Sequence, residues 1–242
     1  MFKFLKTIMN NKDSIITNDV NFVHRILKTD IKKDLSYQED EIIFGCGCFW
    51  GAEKCFWKLP GVVTTSVGYA GGNKNNPTYY EVCSGLTGHS EVVRVIWDKS
   101  EIDISDLLKM FWECHDPTQK NRQGNDIGTQ YRSAIYYKNE NNKNIILASK
   151  EQYQKELNKK NLGLIETEIK MINTYFYAED YHQQYLASAG SRQYCSASPT
   201  RVKLGNFTGS NYKLENYIWE NFNWDVDKCV LRSDNNPIKN DK

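Results

Sequence analysis

The sequence predicts an α+β fold: a two-layer sandwich in which helices pack on one mixed sheet, with irregular extensions at both ends. Three observations point there. Segments of period two and segments of period 3.6 interleave along the chain. The strand-like runs are short and bounded by glycine, which suits a small sandwich better than a large doubly wound sheet. A chain of 242 residues that is 40% hydrophobic and 13% aromatic has ample material for the core of one large domain.

Each element has a local reason. Residues 1–40 are polar and rich in Lys and Asp, with scattered apolar positions such as Phe22, Val23, Ile26 and Leu27. They read as an extension carrying one short helix. EIIFGCG (41–47) is a strand-like run ending in glycine. FWGAEKCFWKL (49–59) places Phe49, Ala52, Phe56 and Leu59 on one helical face, and Pro60-Gly61 stops it. VVTTSVGYAGG (62–72) is a strand that runs into a glycine turn. EVVRVIWD (91–98) is a strand with Val93, Val95 and Trp97 on one face. SDLLKMFWECHD (105–116) is a helix capped by Asp103 or Ser105. SAIYYKN (133–139) and ETEIKMINT (166–174) are strands, 142–160 is an amphipathic helix, and EDYHQQYLAS (179–188) reads as a helix. From residue 189 the pattern frays, except for the aromatic stretch NYIWENFNWDVDKC (216–229).

Charge and targeting signals exclude several classes. Lys and Arg number 31 against 30 Asp and Glu, so no global field attracts nucleic acid or anionic lipid. No apolar run approaches the length of a membrane span. The start, MFKFLKTIM, is short, broken by lysines and followed at once by polar residues, a poor secretory signal. A mitochondrial leader stays open as the weaker alternative, since Asp13 and Asp19 interrupt it. Seven cysteines are too few for a disulfide scaffold and odd in number, so reduced thiols in the cytoplasm are the expectation.

The chemistry concentrates at GCGCFW (45–50). Cys48 ends a strand and opens a helix. Unpaired N–H groups at a helix start favour thiolate, the nucleophilic form. Gly45 and Gly47 permit the turn, and Phe49 and Trp50 supply an apolar wall. On local features alone, a buried filler cysteine with two core aromatics fits equally well. Two long, polar, glycine-rich loops tip the balance. PTYYEVCSGLTGHSEVVRV (77–95) offers Tyr79, His89 and Glu91, and DPTQKNRQGNDIGTQYRSAIY (116–136) offers Asp126 and Tyr131. Together they supply hydroxyl and carboxyl groups for charge developing on an oxygen.

Seven blocks in order, GCFWG (47–51), PGV (60–62), GYAGG (68–72), PTYYEVCSGLTGHSEVV (77–93), FWECHDPTQ (111–119), RQGNDIGTQYRSAIY (122–136) and YAEDYHQQYL (177–186), resemble the peptide methionine sulfoxide reductases of type A. The resemblance spans roughly 42–187. It implies a ferredoxin-like sandwich, with 41–188 as the catalytic domain and 189–242 as a tail carrying resolving cysteines. It implies reduction of the S epimer of methionine sulfoxide, free or in oxidised proteins, without a cofactor or metal. Cys48 is then the nucleophile, and Phe49 and Trp50 pack around the substrate S-methyl. Glu91 is the acid that protonates the sulfoxide oxygen, Tyr79 and Tyr131 donate hydrogen bonds to it, and Asp126 orients the site. A sulfenic acid on Cys48 would condense with a second thiol, and the disulfide would be reduced by thioredoxin or another dithiol.

Cys195, just after the last block, is the expected resolving thiol, and Cys229 a further relay thiol. Cys46 and Cys48 would point the same way on a continuous strand, but a bridge between them would be a strained ring. Cys55, Cys83 and Cys114 read as core, and His89, His115 and His182 as scaffold. A zinc site is disfavoured, because C-x-C stands alone without a paired C-x-x-C. An inactive binding module on the same fold is the alternative to the enzyme, and a monomer is expected.

Overall fold

The computed structural model describes residues 23–226 and 229–240, with no side-chain detail for Cys229. At its centre lies β1 (Glu39–Cys46), flanked by β3 (Ser90–Asp98) and β6 (Ser133–Tyr137), both antiparallel to it. β2 (Val62–Ala70) pairs antiparallel with β3, and β7 (Glu168–Met171) pairs parallel with β6. The short β8 (Phe176–Tyr177) closes the other edge, giving the order β7-β6-β1-β3-β2-β8. The inner order β6-β1-β3-β2, with helices α1 (Phe49–Trp57) and α3 (Ile104–Cys114) in the crossovers, is the ferredoxin-like unit of the sandwich.

Strand periodicity sorts the side chains. Ile42, Phe44 and Cys46 of β1 join Val93, Val95 and Trp97 of β3 in the core under α1 and α3, while Ile43 and Val92 join a smaller cluster on the other face. Glu91 has the parity of Val93, so the sheet carries its carboxyl to the helix-covered face. Phe44 stacks on Phe56 of α1 and on Phe111 of α3. α3 is capped by Asp103, one of the two caps the sequence suggests: its side chain accepts from the Ser105 N–H, and the Asp106 carboxylate accepts from the Asp103 N–H. Helix α4 (Lys143–Lys159) packs on α3, where the Trp112 indole donates to Ser149 Oγ at 2.9 Å and stacks on Tyr153.

Four local features differ from the expectations. The segment 179–188 is not one helix. It forms two 3₁₀ turns, Asp180–His182 and Tyr185–Ala187, broken by Gln184 in the left-handed region. The buried Glu53 carboxylate accepts both the backbone N–H and the side-chain amide of Gln184, and the Gln183 amide bonds the backbone of Val67. These tertiary bonds replace the helical ladder. The loop at 77–95 contains a short helix, α2 (Tyr79–Cys83), set by a Thr78–Glu81 capping box. The loop at 116–136 contains a two-residue hairpin, β4 (Arg122–Gln123) and β5 (Asp126–Ile127). Between 23 and 38 there is no helix. A turn closed by a bridge between Val23 and Asp30 lies there, anchored by His24 Nε2 to Thr65 Oγ1.

The C-terminal segment is irregular but strapped down. Val202, Leu204, Leu214, Ile218, Phe222 and Trp224 enter the main core. Lys54, Trp57 and Lys58 of the α1 region donate to carbonyls of Ser233, Asn235 and Asn236. Two short helices, α5 (Asn216–Glu220) and α6 (Cys229–Arg232), lie within it. No helix among the described residues is long and apolar enough to cross a membrane.

Candidate active site

The chain leaves β1 at Cys46 and turns at Gly47, which sits at φ 87°. A side chain there would strike Gln123 Cβ at 2.5 Å, so glycine is required for both conformation and space. Cys48 is then the N-cap of α1; its side chain makes no cap hydrogen bond there, although the Trp50 N–H lies on the side that favours thiolate. The Phe49 N–H donates to Glu91 Oε2 at 3.1 Å. One helix start thus serves a thiol and a carboxyl from a strand 42 residues away.

Electrostatics corrects the expectation for Cys48. The Trp50 N–H favours its thiolate, but burial, and then the neighbouring Glu91, push the thiol well above its usual range. Glu91 is itself displaced. Burial raises its carboxyl to about 8, helped by Asp126 and opposed by the Phe49 N–H. At neutral pH the site therefore stores protons on both groups. Tyr79 on α2 and Tyr131 on the 3₁₀ turn Thr129–Tyr131 stay firmly protonated, through burial and the nearby Glu91 charge. Asp126 on β5 accepts from Tyr194 Oη at 2.5 Å.

Phe49 is buried and Trp50 half-buried, the two rings 6.5 Å apart. Trp50 is held by His182 and by two tyrosines, Tyr185 and Tyr194, that the sequence alone did not single out. Tyr185 stacks on it at 3.9 Å, Tyr194 meets it edge-on, and its indole N–H donates to His182 Nδ1 at 3.1 Å. His182, which the sequence suggested as scaffold, also touches Phe49 and Tyr79, and burial lowers it to about 4, so it is neutral. Glu179 accepts from Tyr69 Oη and from the Tyr79 backbone, pinning α2 over the site. The YAEDYHQQYL string was the available signal for these contacts, but its helical reading hid which residues point inward.

The thiols divide. Cys195 is buried against Gly51 in the first turn of α1, where an added Cβ would lie 2.5 Å from its sulfur, and it lies within electrostatic reach of Cys48. Cys46 turns away from Cys48 into the core that also holds Cys55 and Cys114. Cys83 is not core: it is half-buried at the end of α2, the helix that Tyr79 begins. Sulfur atoms of Cys46 and Cys114 lie within 4.8 Å of a His115 nitrogen, but both nitrogens of that ring already bond Phe111 O and Ser133 Oγ. The backbone of Cys229 begins α6, and its side chain lies outside the described residues.

A family model described as peptide methionine sulfoxide reductase matches residues 40–213. The chain belongs to this family. It is 54% identical over 180 residues to the peptide methionine sulfoxide reductase MsrA of Vibrio vulnificus, covering 74% of this chain and 86% of that one. It is 57% identical over 160 residues to the mitochondrial peptide methionine sulfoxide reductase of Bos taurus, covering 66% and 68% of the two chains. The solved methionine sulfoxide reductase A of Corynebacterium diphtheriae superposes with a TM-score of 0.65 at 43% identity, covering 74% of this chain and 87% of that one. This member of the family is thus a type A reductase, an oxidoreductase by kind. Its site geometry comes from the conjunction of Cys48, Glu91, Tyr79 and Tyr131 at one helix start.

Proposed function

We propose that the chain reduces the S epimer of methionine sulfoxide, free or within proteins, to methionine, with Cys48 as nucleophile. The observation that carries this reading is the Glu91 carboxyl. It is held protonated near neutral pH while bonded to the N–H that follows Cys48. A thiolate attacks a sulfoxide sulfur only if the oxygen is protonated as the S–O bond breaks. Glu91 supplies that proton and is refilled from the Cys48 thiol. Tyr79 and Tyr131 polarise the oxygen, and Asp126 fixes the edge of the site through Tyr194. Phe49 and Trp50 receive the S-methyl group.

The balance closes. Cys48 gives up two electrons and takes the oxygen as a sulfenic acid, and the substrate leaves as the sulfide. The Cys195 thiol then attacks the Cys48 sulfur, forms a disulfide and releases water. Thioredoxin or another dithiol reduces that disulfide, with Cys229 as a further relay thiol, in a reducing cytoplasm. The chemistry needs no bound cofactor or metal. All the side chains named belong to one chain, so a monomer suffices.

The test is an assay of the separated S and R epimers of a blocked methionine sulfoxide, with dithiothreitol, on wild type and Cys48→Ser. Consumption of the S epimer alone, abolished in Cys48→Ser, is the expected result. Turnover that survives Cys48→Ser would remove the assignment. Repeating the assay with thioredoxin on Cys195→Ser and Cys229→Ser then maps the relay.

A further inference from the structure

The sheet face away from Cys48 carries a second recess, and it is polar. Side chains alternate along β3, so Arg94 falls on the face of Val92, opposite to Glu91 and Val93. Glu41 of β1 shares that face with Ile43, which pairs in register with Arg94. Both charged groups are buried, Glu41 6% exposed and Arg94 8%. A cavity of about 320 Å³ opens beside them, with Lys32, Lys138, Asn173 and Tyr177 also in its wall. That volume suits a small-molecule site, but the wall is polar where such walls are ordinarily apolar.

The charge at its floor does not cancel. Glu41 gives one oxygen to Arg94 Nε and the other to Lys138 Nζ, the latter at 2.6 Å. One carboxylate thus serves two cations, and both its oxygens are committed. Arg94 Nη1 donates to Ile31 O at 3.3 Å and to Tyr177 Oη at 3.1 Å. Among the described residues, Arg94 Nη2 has no acceptor. A guanidinium buried to this degree ordinarily has all its N–H groups satisfied, so these are left to the cavity that Arg94 lines. Lys33 is held by Glu39, and Lys32 Nζ lies 5.2 Å from the Tyr177 ring centroid. Burial lowers the Lys32 ammonium from its ordinary value in spite of nearby Asp30. Asp34 lines the cavity from an exposed position, where water screens its charge.

We propose that this recess binds the phosphoryl group of a small phosphate ester. The phosphoryl oxygens accept from Arg94 Nη2, Lys138 and Lys32, and Asn173 and Tyr177 border the rest of the molecule. Three cationic donors match three oxygens through charge-assisted hydrogen bonds. A carboxylate offers only two oxygens and leaves one donor unmet. Inorganic phosphate leaves most of the volume empty. The recess lies across the sheet from Cys48, so the proposal stands apart from the catalytic reading.

The experiment is titration calorimetry on the full chain with glycerol 3-phosphate, inorganic phosphate and acetate, at constant ionic strength set with chloride. Glycerol 3-phosphate is expected to bind one per chain, more tightly than inorganic phosphate, with acetate weakest, and to raise the melting temperature. Lys138→Gln combined with Lys32→Gln should weaken it about tenfold or more. Arg94→Lys keeps a cation for Glu41 but loses the Nη2 donors, and should weaken it similarly. Melting curves in chloride alone check the fold of each variant, and the lysine variant reads the site even where Arg94→Lys fails to fold. Blocked methionine S-sulfoxide should not displace the ester, and its reduction with dithiothreitol should be unchanged in the lysine variant. Absence of saturable binding, equal binding of acetate, or undiminished affinity in the lysine variant would overturn the site. Displacement by the sulfoxide would also overturn it, moving the anion to the catalytic recess. Tighter binding of inorganic phosphate would overturn the ester as its ligand.

Discussion

The backbone N–H of Phe49 donates to the carboxyl of Glu91 at 3.1 Å, joining the first turn of α1 to the start of β3. The donor lies one residue after the thiol, so the contact fixes acid and nucleophile to one scaffold point. Burial dominates over this bond, and the acid keeps its proton to about pH 8.

Glu91→Gln keeps the shape and the hydrogen bond but cannot deliver a proton. Its kcat/KM for a methionine S-sulfoxide should fall between about a hundredfold and ten-thousandfold. Wild-type kcat/KM should fall as pH rises through about 8, where Glu91 ionises. That limb should be missing from the residual rate of Glu91→Gln. A limb that survives the substitution would assign it to another group.

Stability should carry the same signature. Burial raises Glu91 to about 8 and Glu53 to about 7 from an ordinary 4.5. An acid with a raised folded-state pKa stabilises fully below its unfolded pKa, and the advantage fades as pH rises through the folded value. The native state should therefore weaken between about pH 4.5 and 8 on account of these two groups. Chemical denaturation of Glu91→Gln and Glu53→Gln should show a flatter pH dependence than wild type. An unchanged slope in both variants would contradict it.

Gly51→Ala places a methyl group 2.5 Å from the Cys195 sulfur. Overpacking of this kind costs about 1–3 kcal/mol in stability. Displacement of Cys195 should also slow disulfide formation. Mass mapping after one turnover should then find more Cys48 sulfenic acid and less Cys48–Cys195 disulfide. Normal disulfide yield in a destabilised variant would confine the glycine to a packing role.

His182→Leu leaves the Trp50 indole N–H without its 3.1 Å acceptor. Loss of one hydrogen bond's worth of orientation should raise KM by about fivefold. Because His182 is neutral, with a value near 4, the pH profile should not move. A shifted profile would make the imidazole a proton carrier.

Much of this molecule was readable along the chain. Alternation in EIIFGCG and EVVRVIWD located β1 and β3, and the spacing of Phe49, Ala52 and Phe56 located α1, because these segments bury a face of their own regular period. The segment 179–188 was misread for the opposite reason. Its amides are satisfied by Glu53 and by the backbone of Val67, partners more than a hundred residues away, and no local pattern encodes them. The tail past 189 looked frayed because its buried residues come singly between polar ones, each docking on a core built elsewhere.

The sequence by itself determined the two-layer α+β frame, the thiol at a strand-to-helix junction and the loops that bring it acid and hydroxyl groups. Those rest on short-range periodicity, glycine placement and residue type, all written locally. Only the tertiary structure decided the proton inventory. Helix-start geometry predicted a lowered thiol, yet burial and the nearness of Glu91 raise Cys48 and Glu91 together. Desolvation depends on everything packed around a group, and that is a property of the assembled core rather than of any stretch of chain.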